Sequence, residues 1–162
     1  MQKIMACLWF NGNGEEAAKF YKTVFRGTKI KDVTRYDADT AKVAGRKAGD
    51  VLTMTITLLG QEVMILNAGP EFKFSEAVSF IINCRDQKEI DYYWSKLTAD
   101  GGQESVCGWL KDKFGFSWQV APAGWEKLYS SKNKKKAAAA MKAMMQMKKL
   151  DMKALEKAYR EG

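Results

Sequence analysis

The chain has 162 residues, of which 27 are Lys or Arg, 19 are Asp or Glu, three are Cys and none is His. This length fits one domain or two small modules, and 46% hydrophobic residues are enough to build a core. Without histidine, one chain cannot form a Ser-His-Asp or Cys-His nucleophile system, a His-ligated zinc site or a His general base.

The first half of the chain predicts a strand, a helix and three further strands. The apolar segment 3–10 predicts a buried strand. Asn13, with Glu16 three residues later, has the spacing of a capping box, and Gly27 ends the helix that follows. The remaining predicted elements are a strand at 28–36, a polar loop at 37–49 and a hairpin formed by 51–59 and 62–67.

The second half repeats this order of elements. A strand at 77–84 precedes a helix that begins after Asp86 and ends at the glycine pair 101–102. Short strands are predicted at 104–107, 109–111 and 116–121. Asp112 lies between Lys111 and Lys113, which indicates a solvated turn. The order of elements, and not the sequence, is what repeats.

The basic charge is concentrated in the C-terminal segment. Residues 132–162 carry ten basic and three acidic groups, a net charge of +7, which leaves +1 for residues 1–131 out of the total of +8. High helix propensity predicts helices here, one of them capped by Asp151, with Met141, Met144, Met145 and Lys148 on one face. Since aromatic residues do not alternate with these lysines, the pattern disfavours a nucleic-acid partner.

The three cysteines indicate a reducing compartment. Cys7, Cys84 and Cys107 are odd in number and widely spaced, so we expect free thiols in a cytoplasmic protein. No segment approaches the roughly 20 apolar residues of a membrane-spanning helix, and no signal peptide follows Met1. We therefore expect no membrane association.

Several strings resemble the PhnB-like proteins of the vicinal-oxygen-chelate superfamily, which also contains glyoxalase I, bleomycin-resistance proteins and extradiol dioxygenases. The similar strings are LWFNGNGEEAAKFY (8–21), INC (82–84), YYW (92–94), CGWLKDKFGFSWQV (107–120) and MKKLD…LEKAY (147–159). The resemblance implies an α+β fold with two β-α-β-β-β modules that form a pair of half-barrels, followed by C-terminal helices. The implied division is a glyoxalase-like domain at 1–130, with modules at 1–68 and 76–121, and a helical tail at 131–162.

The resemblance also implies where metal ligands of the relatives would fall. Cys7, Ser79 and Gln119 take three of these positions, and Asn67 is the least certain match. Neutral Ser, Asn and Gln oxygens are weak ligands for a transition metal, and one thiolate does not make a site. We therefore predict no metal and no other cofactor.

A polar cleft for a small molecule is compatible with these residues. Cys7 and Trp9 share a strand face because side chains alternate, and Gln119 likewise shares a face with Ser117. Together with Asn67, Ser79 and Trp109, these side chains predict a substrate-binding pocket. The alternative is that they only fill the half-barrels. Cys7 has no histidine to activate it, which favours an inert thiol.

The family label "3-demethylubiquinone-9 3-methyltransferase" suggests an alternative function. Gly12 and Gly14 lie between a strand and a helix, but a third glycine and an acidic ribose ligand are missing, so we predict no useful affinity for S-adenosylmethionine. Our preferred hypothesis is a small-molecule-binding protein that forms a homodimer, in which the Met-rich tail is a candidate interface. Resistance-type sequestration of a drug is a further alternative, and the sequence leaves open whether the protein is an enzyme.

Overall fold

The computed structural model describes residues 3–162, which form two compact units divided between Lys73 and Phe74. The first unit contains β1 (Ala6–Phe10), α1 (Gly14–Val24), β2 (Ile30–Arg35), α2 (Ala38–Ala44), β3 (Val51–Leu58) and β4 (Gln61–Asn67). Its four strands form one open sheet in the order β1-β4-β3-β2. Strands β1 and β4 run parallel, and the other neighbours run antiparallel.

The segment predicted as a polar loop at 37–49 contains a helix, so that prediction is wrong. The Asp37 side chain accepts a hydrogen bond from Thr40 N at 2.8 Å and begins α2. Gly45 ends the helix with a φ of 64°, a left-handed conformation that glycine adopts without strain. The polar composition hid a short helix whose only buried residue is Ala41.

Helix α1 packs on one face of the first sheet and buries Ala17, Tyr21 and Val24. Its start does not use the predicted capping box. Asn13 occupies the N-cap position with φ −106° and ψ 15°, and its side chain makes no capping bond. The Gly14 N–H instead donates to Asn67 Oδ1 at 2.9 Å, from the end of β4. A side chain from a distant strand therefore satisfies a donor that usually bonds to a local residue.

The second unit repeats the arrangement of the first. It contains β5 (Ser79–Cys84), α3 (Gln87–Leu97), β6 (Gln103–Glu104), β7 (Trp109–Lys111) and β8 (Ser117–Pro122), followed by α4 (Glu126–Tyr129), α5 (Lys134–Met145) and α6 (Met152–Glu161). The strand order β5-β8-β7-β6 matches the first sheet, with one parallel pair, β5 and β8. The prediction of paired β-α-β-β-β modules with C-terminal helices is confirmed.

The predicted strand at 104–107 is reduced to two residues. The backbone turns over residues 105–108, because Cys107 and Gly108 have φ values of 58° and 81°. By contrast, the predicted helix caps Asp86 and Asp151 are confirmed, since each side chain accepts a hydrogen bond from the backbone N–H three residues on.

The C-terminal helices pack into the second unit. Met144 and Leu155 form a buried cluster with Ala121 of β8 and Leu150. The shared methionine face is therefore divided: Met144 is 9% exposed, whereas Met141 and Met145 are 37% and 61% exposed. Among the described residues, no helix is both long and apolar enough to cross a membrane.

Asp112 is buried, so the prediction of a solvated turn is wrong. The residue is 2% exposed between β7 and β8. Its Oδ1 accepts hydrogen bonds from Phe114 N and Phe116 N, and its Oδ2 accepts one from Trp118 Nε1. The turn closes around the carboxylate, and the flanking lysines are left at the periphery.

Candidate ligand-binding site

A row of polar residues crosses all four strands of the second sheet. In the strand register, Gln103 lies opposite Lys111, Lys111 opposite Ser117, and Ser117 opposite Ser79. Directly opposed residues on neighbouring strands project from the same face of a sheet. The four side chains therefore belong to one face.

The next row on this face contains Trp109, Gln119 and Ile81, which are opposite one another in the register. The Gln119 side-chain amide donates to Ser79 Oγ at 2.9 Å, which links the two rows. The structure thus brings together Ser79, Trp109 and Gln119, three of the six residues predicted from the sequence.

The opposite face of the second sheet is covered by α3. Leu110, Trp118 and Val120 project there and are almost fully buried. Trp94 of α3 donates its indole N–H to Glu104 Oε1 at 2.8 Å, which joins the helix to the edge strand. The polar rows therefore lie on the face of the sheet opposite α3.

A cavity of about 440 Å³ opens at this face. It is lined by Glu76, residues 103–107, residues 109–111 and Ser117. Ligand pockets typically occupy about 300–1,000 Å³ and combine apolar walls with a few polar groups. The indole of Trp109 and the side chain of Val106 supply the apolar part here.

Ser117 is one of the residues that line this cavity, and its side chain carries an unsatisfied polar atom. The residue is fully buried, and its Oγ is the one buried side-chain polar atom without a hydrogen-bond partner in the part of the chain that the structure describes. Leaving a buried hydroxyl unpaired costs about 1–3 kcal/mol. Such a cost is offset when a bound molecule supplies the missing hydrogen bond.

The charged residues at the cavity are already engaged. Lys111 Nζ lies 2.6 Å from Glu76 Oε1, and this hydrogen bond lowers the pKa of the Glu76 carboxyl below its usual value. Glu104 accepts the Trp94 indole N–H, and its second oxygen lies 3.7 Å from Lys148 Nζ. The two carboxylates therefore act as anchoring groups, and the lowered pKa of Glu76 does not suit a general acid.

In the first unit, Cys7 and Trp9 share one face of β1, as the alternation predicts. The Trp9 indole donates to Gly69 O at 2.9 Å, and its ring lies edge-on to Phe72, with 4.8 Å between centroids. Cys7 is an exposed residue, but neighbouring atoms partly desolvate its thiol, and this raises the pKa of the thiol. This thiol is therefore poorly suited to be a nucleophile.

Asn67 lies on the other face of the first sheet, against α1. It is 5% exposed, accepts from Gly14 N and donates to Val51 O at 3.0 Å. The structure therefore does not place Asn67 beside Cys7 and Trp9. That the predicted residues of both modules line one cleft stays a prediction.

The register identifies a different counterpart of Gln119 in the first unit. Gln119 pairs with Ile81, two residues after Ser79. In the first unit, Leu66 pairs with Trp9, two residues after Cys7. The equivalent position is thus an aliphatic leucine, one residue before Asn67.

These donors do not fit a divalent transition metal. Cys7 would supply a thiol with a raised pKa, Leu66 supplies no ligand, and the oxygen of Ser79 already accepts a bond from Gln119. Among residues 3–162, no three His, Cys, Asp or Glu side chains come together as a metal-binding group. Tight binding of zinc or manganese needs several anionic or imidazole ligands at one point.

The turn that contains Gly12 and Gly14 also has a structural explanation. A Cβ atom at Gly14 would lie 2.7 Å from Ile65 Cγ2, so only glycine lets α1 approach the sheet this closely. The Gly14 N–H, which a cofactor phosphate would need, is already bonded to Asn67.

The sequence-based prediction missed Glu76, Lys111 and the role of Ser117. The alternation that grouped Ser117 with Gln119 also groups Trp109 with Lys111 on the neighbouring strand. Applying it to that strand would have added Lys111 to the site. Nothing in the sequence indicates that Glu76, which precedes β5, pairs with Lys111.

The fold, with its two β-α-β-β-β units, is that of the vicinal-oxygen-chelate superfamily, as the motifs had implied. Residues 2–121 match the family model described as 3-demethylubiquinone-9 3-methyltransferase. The chain belongs to this family of PhnB-like proteins. No curated protein matches it by sequence.

One solved structure supports this assignment, and a second shows the same fold. The chain is similar to a protein from Bacillus cereus described as a putative 3-demethylubiquinone-9 3-methyltransferase, PhnB protein, with 35% identity and a TM-score of 0.66 over 75% of this chain and 100% of that one. Protein PA1353 from Pseudomonas aeruginosa is 19% identical, with a TM-score of 0.60 over 76% and 98% of the two chains.

A more distant structure shows the fold alone. It is an E126Q variant of the fosfomycin resistance protein FosX from Listeria monocytogenes, in complex with Mn(II) and 1S,2S-dihydroxypropylphosphonic acid. Its identity to this chain is 12%, with a TM-score of 0.55 over 78% of this chain and 98% of that one.

Proposed function

We propose that the protein binds a small organic molecule in the cavity of its second unit and does so without a divalent metal. The buried Ser117 hydroxyl is the observation that carries this proposal, because a ligand atom beside it would satisfy an otherwise unpaired group. Trp109 supplies an aromatic surface at the same cavity, and Ser79 and Gln119 continue the polar face beside it.

Nuclear magnetic resonance of the tryptophan side chains tests this proposal directly. The chain has five tryptophans, and each gives one indole N–H signal. When a collection of small organic fragments is added, the fragments that bind are expected to shift the signals of the Trp109 indole and the Ser117 amide. The Trp9 indole, which is bonded to Gly69 O in the other unit, serves as the internal control. If none of the fragments shifts Trp109, the proposal is wrong.

Replacing Ser117 with Ala is expected to separate binding from stability. Since the variant removes an unpaired buried hydroxyl, it should raise the free energy of unfolding by about 1 kcal/mol and weaken the bound fragment about 5- to 10-fold. Denaturant unfolding and fragment titration measure the two effects. Ser95→Ala, on the exposed side of α3, is the control and should leave fragment binding unchanged. A Ser117→Ala protein that is less stable than the parent would show that the hydroxyl has a structural partner.

The proposed absence of metal has its own test. Elemental analysis of purified protein after dialysis is expected to find well below one equivalent of Mn, Fe, Ni or Zn per chain, because the donor set lacks imidazole and free carboxylate ligands. Cys7→Ser serves as the comparison, since it removes the one thiol at a ligand position. About one equivalent that is retained by the parent and lost from the variant would contradict the proposal.

Two alternative functions, a methyltransferase and a sequestering protein, can be distinguished by experiment. A methyltransferase, as the family name suggests, needs S-adenosylmethionine, and a micromolar dissociation constant in calorimetry would support it. The glycine turn argues against this cofactor, because the Gly14 N–H is already bonded. A sequestering protein of the resistance type would return its ligand chemically unchanged, whereas an enzyme would convert it, and mass spectrometry of the recovered compound distinguishes the two.

We also propose that the protein is a cytoplasmic homodimer. Met141 and Met145, which remain exposed on α5, are the candidate contact residues. Exposed apolar groups of this kind favour association when they form a patch. Sedimentation of the full chain as a monomer at micromolar concentration would contradict this assembly.

A further inference from the structure

The C-terminal tail contacts a loop that lines the cavity. Residues 105–108, here called the edge loop, connect β6 to β7, and three of its four residues line the cavity. Residues 147–152, here called the docking segment, connect α5 to α6. The Cys107 N–H donates to Met147 O at 2.7 Å, and the Gly108 N–H donates to Lys148 O at 2.8 Å. The two segments thus pair along their backbones.

The edge loop has an uncommon backbone conformation where it pairs with the docking segment. Cys107 has a φ of 58°, which is uncommon for a residue with a side chain and carries a free-energy cost. A Cβ atom on Gly108 would lie 2.8 Å from Val120 O and 3.1 Å from Leu150 Cδ1. The loop therefore fits closely between β8 and the docking segment.

The docking segment is attached to α3 from the other side. Gln87 Oε1 accepts a hydrogen bond from Met152 N at 2.9 Å, and Gln87 Nε2 donates to Leu150 O at 3.1 Å. Asp91 lies 2.6 Å from Lys149 Nζ. These contacts lie outside the cavity lining, so the attachment can be altered without touching the proposed ligand.

A direct contact also joins the docking segment to the cavity wall. Lys148 Nζ lies 3.7 Å from Glu104 Oε2, and the other oxygen of that carboxylate accepts the Trp94 indole N–H. The family model ends at residue 121, so the docking segment lies beyond the matched region.

We infer that the docking segment is a positioning element for the cavity, so that its attachment to α3 and ligand binding at the edge loop stabilise each other. The inference rests on the proposed function for its ligand. Its mechanical part, which is the opening of the docking segment away from the edge loop, does not depend on that function. The coupling is reciprocal: a ligand that stabilises the ligand-binding conformation of the edge loop also stabilises the attachment of the tail to α3.

The three cysteines allow the mechanical part to be measured without a ligand. Cys7 is exposed, Cys107 is half-buried under the docking segment, and Cys84 is fully buried, with burial raising its thiol pKa to about 12. Alkylation by iodoacetamide, followed by mass spectrometry, reports each site separately. In Gln87→Ala, the rate at Cys107 relative to Cys7 is expected to rise about five-fold, because the docking segment loses two hydrogen bonds and opens more often.

Controls distinguish local opening from general unfolding. Lys88→Ala, at the neighbouring exposed position on α3, should leave the Cys107 rate unchanged. Cys84 should remain protected in Gln87→Ala. An unchanged Cys107 rate would overturn the inference. So would a parallel rise at Cys84, since the docking segment would then be an inseparable part of the core.

The coupling between the docking segment and the cavity is tested with a fragment that shifts the Trp109 indole signal. That fragment is expected to bind Gln87→Ala about 5-fold more weakly than the parent. Equal affinity for the two proteins would overturn the coupling, even where the Cys107 result supports the opening. If no fragment shifts Trp109, the proposed function fails, and the alkylation result still decides the mechanical part.

Discussion

Replacing Asp112 with Ala is expected to lower the free energy of unfolding by about 4 kcal/mol, because the variant removes a buried carboxylate that accepts several hydrogen bonds. The carboxylate is 2% exposed and accepts three hydrogen bonds, two from backbone N–H groups and one from the Trp118 indole at 2.8 Å. Alanine would leave these donors without their acceptor in a buried turn. Denaturant unfolding, followed by tryptophan fluorescence, measures the loss.

A second variant tests the reason for this effect. Asp112→Asn retains Oδ1 for the two backbone donors but places an amide N–H₂ opposite the Trp118 indole N–H, so it should cost about 2 kcal/mol. Asp39→Ala, on exposed helix α2, is the control for a lost surface carboxylate and should change stability by about 0.5 kcal/mol or less. A cost below about 1 kcal/mol for Asp112→Ala would contradict the structural role.

Asp112 also shows what sequence patterns leave out. The two flanking lysines indicate a solvated turn, because charged side chains usually reach the surface. The pattern could not show that the turn folds back on its own carboxylate, because that depends on the conformation of Phe114 and Phe116. The string KDKFGFSW therefore specifies a turn that is stabilised from within.

The order of elements was predictable because it depends on local signals. Asp86 and Asp151 precede helices whose apolar residues recur at helical spacing, and both cap as expected. Helix α2 was missed because its short sequence buries only Ala41 and has no apolar stripe to detect. Local signals fail where the buried surface is small.

Three of the residues predicted for the site, Ser79, Trp109 and Gln119, lie together on one face of the second sheet. The family resemblance suggested Ser79 and Gln119, and the two residues share a face because each lies in a regular strand. Asn67, the least certain match from the resemblance, lies on the face opposite Cys7 and Trp9, since a shift of one residue along a strand moves a side chain to the other face. Ser117 was grouped with Gln119, yet only the three-dimensional structure reveals that its hydroxyl lacks a partner.

Replacing Asn67 with Ala is expected to cost about 3 kcal/mol of stability, whereas Asn13→Ala should change stability by about 0.5 kcal/mol or less. The sequence suggests the opposite, since Asn13 has the position of a helix cap. In the structure the Asn13 side chain makes no capping bond. The Asn67 amide instead accepts a hydrogen bond from Gly14 N and donates one to Val51 O.

Asn67→Asp refines this comparison within the same site. Aspartate retains an acceptor for the Gly14 N–H, but its second oxygen would face the Val51 carbonyl, where Asn67 Nδ2 now donates at 3.0 Å. Two facing acceptors repel, so this variant should still lose about 2 kcal/mol. Thermal and denaturant unfolding of the three variants beside the parent gives the order. If Asn13→Ala proved as costly as Asn67→Ala, the local capping box would be the true start of α1.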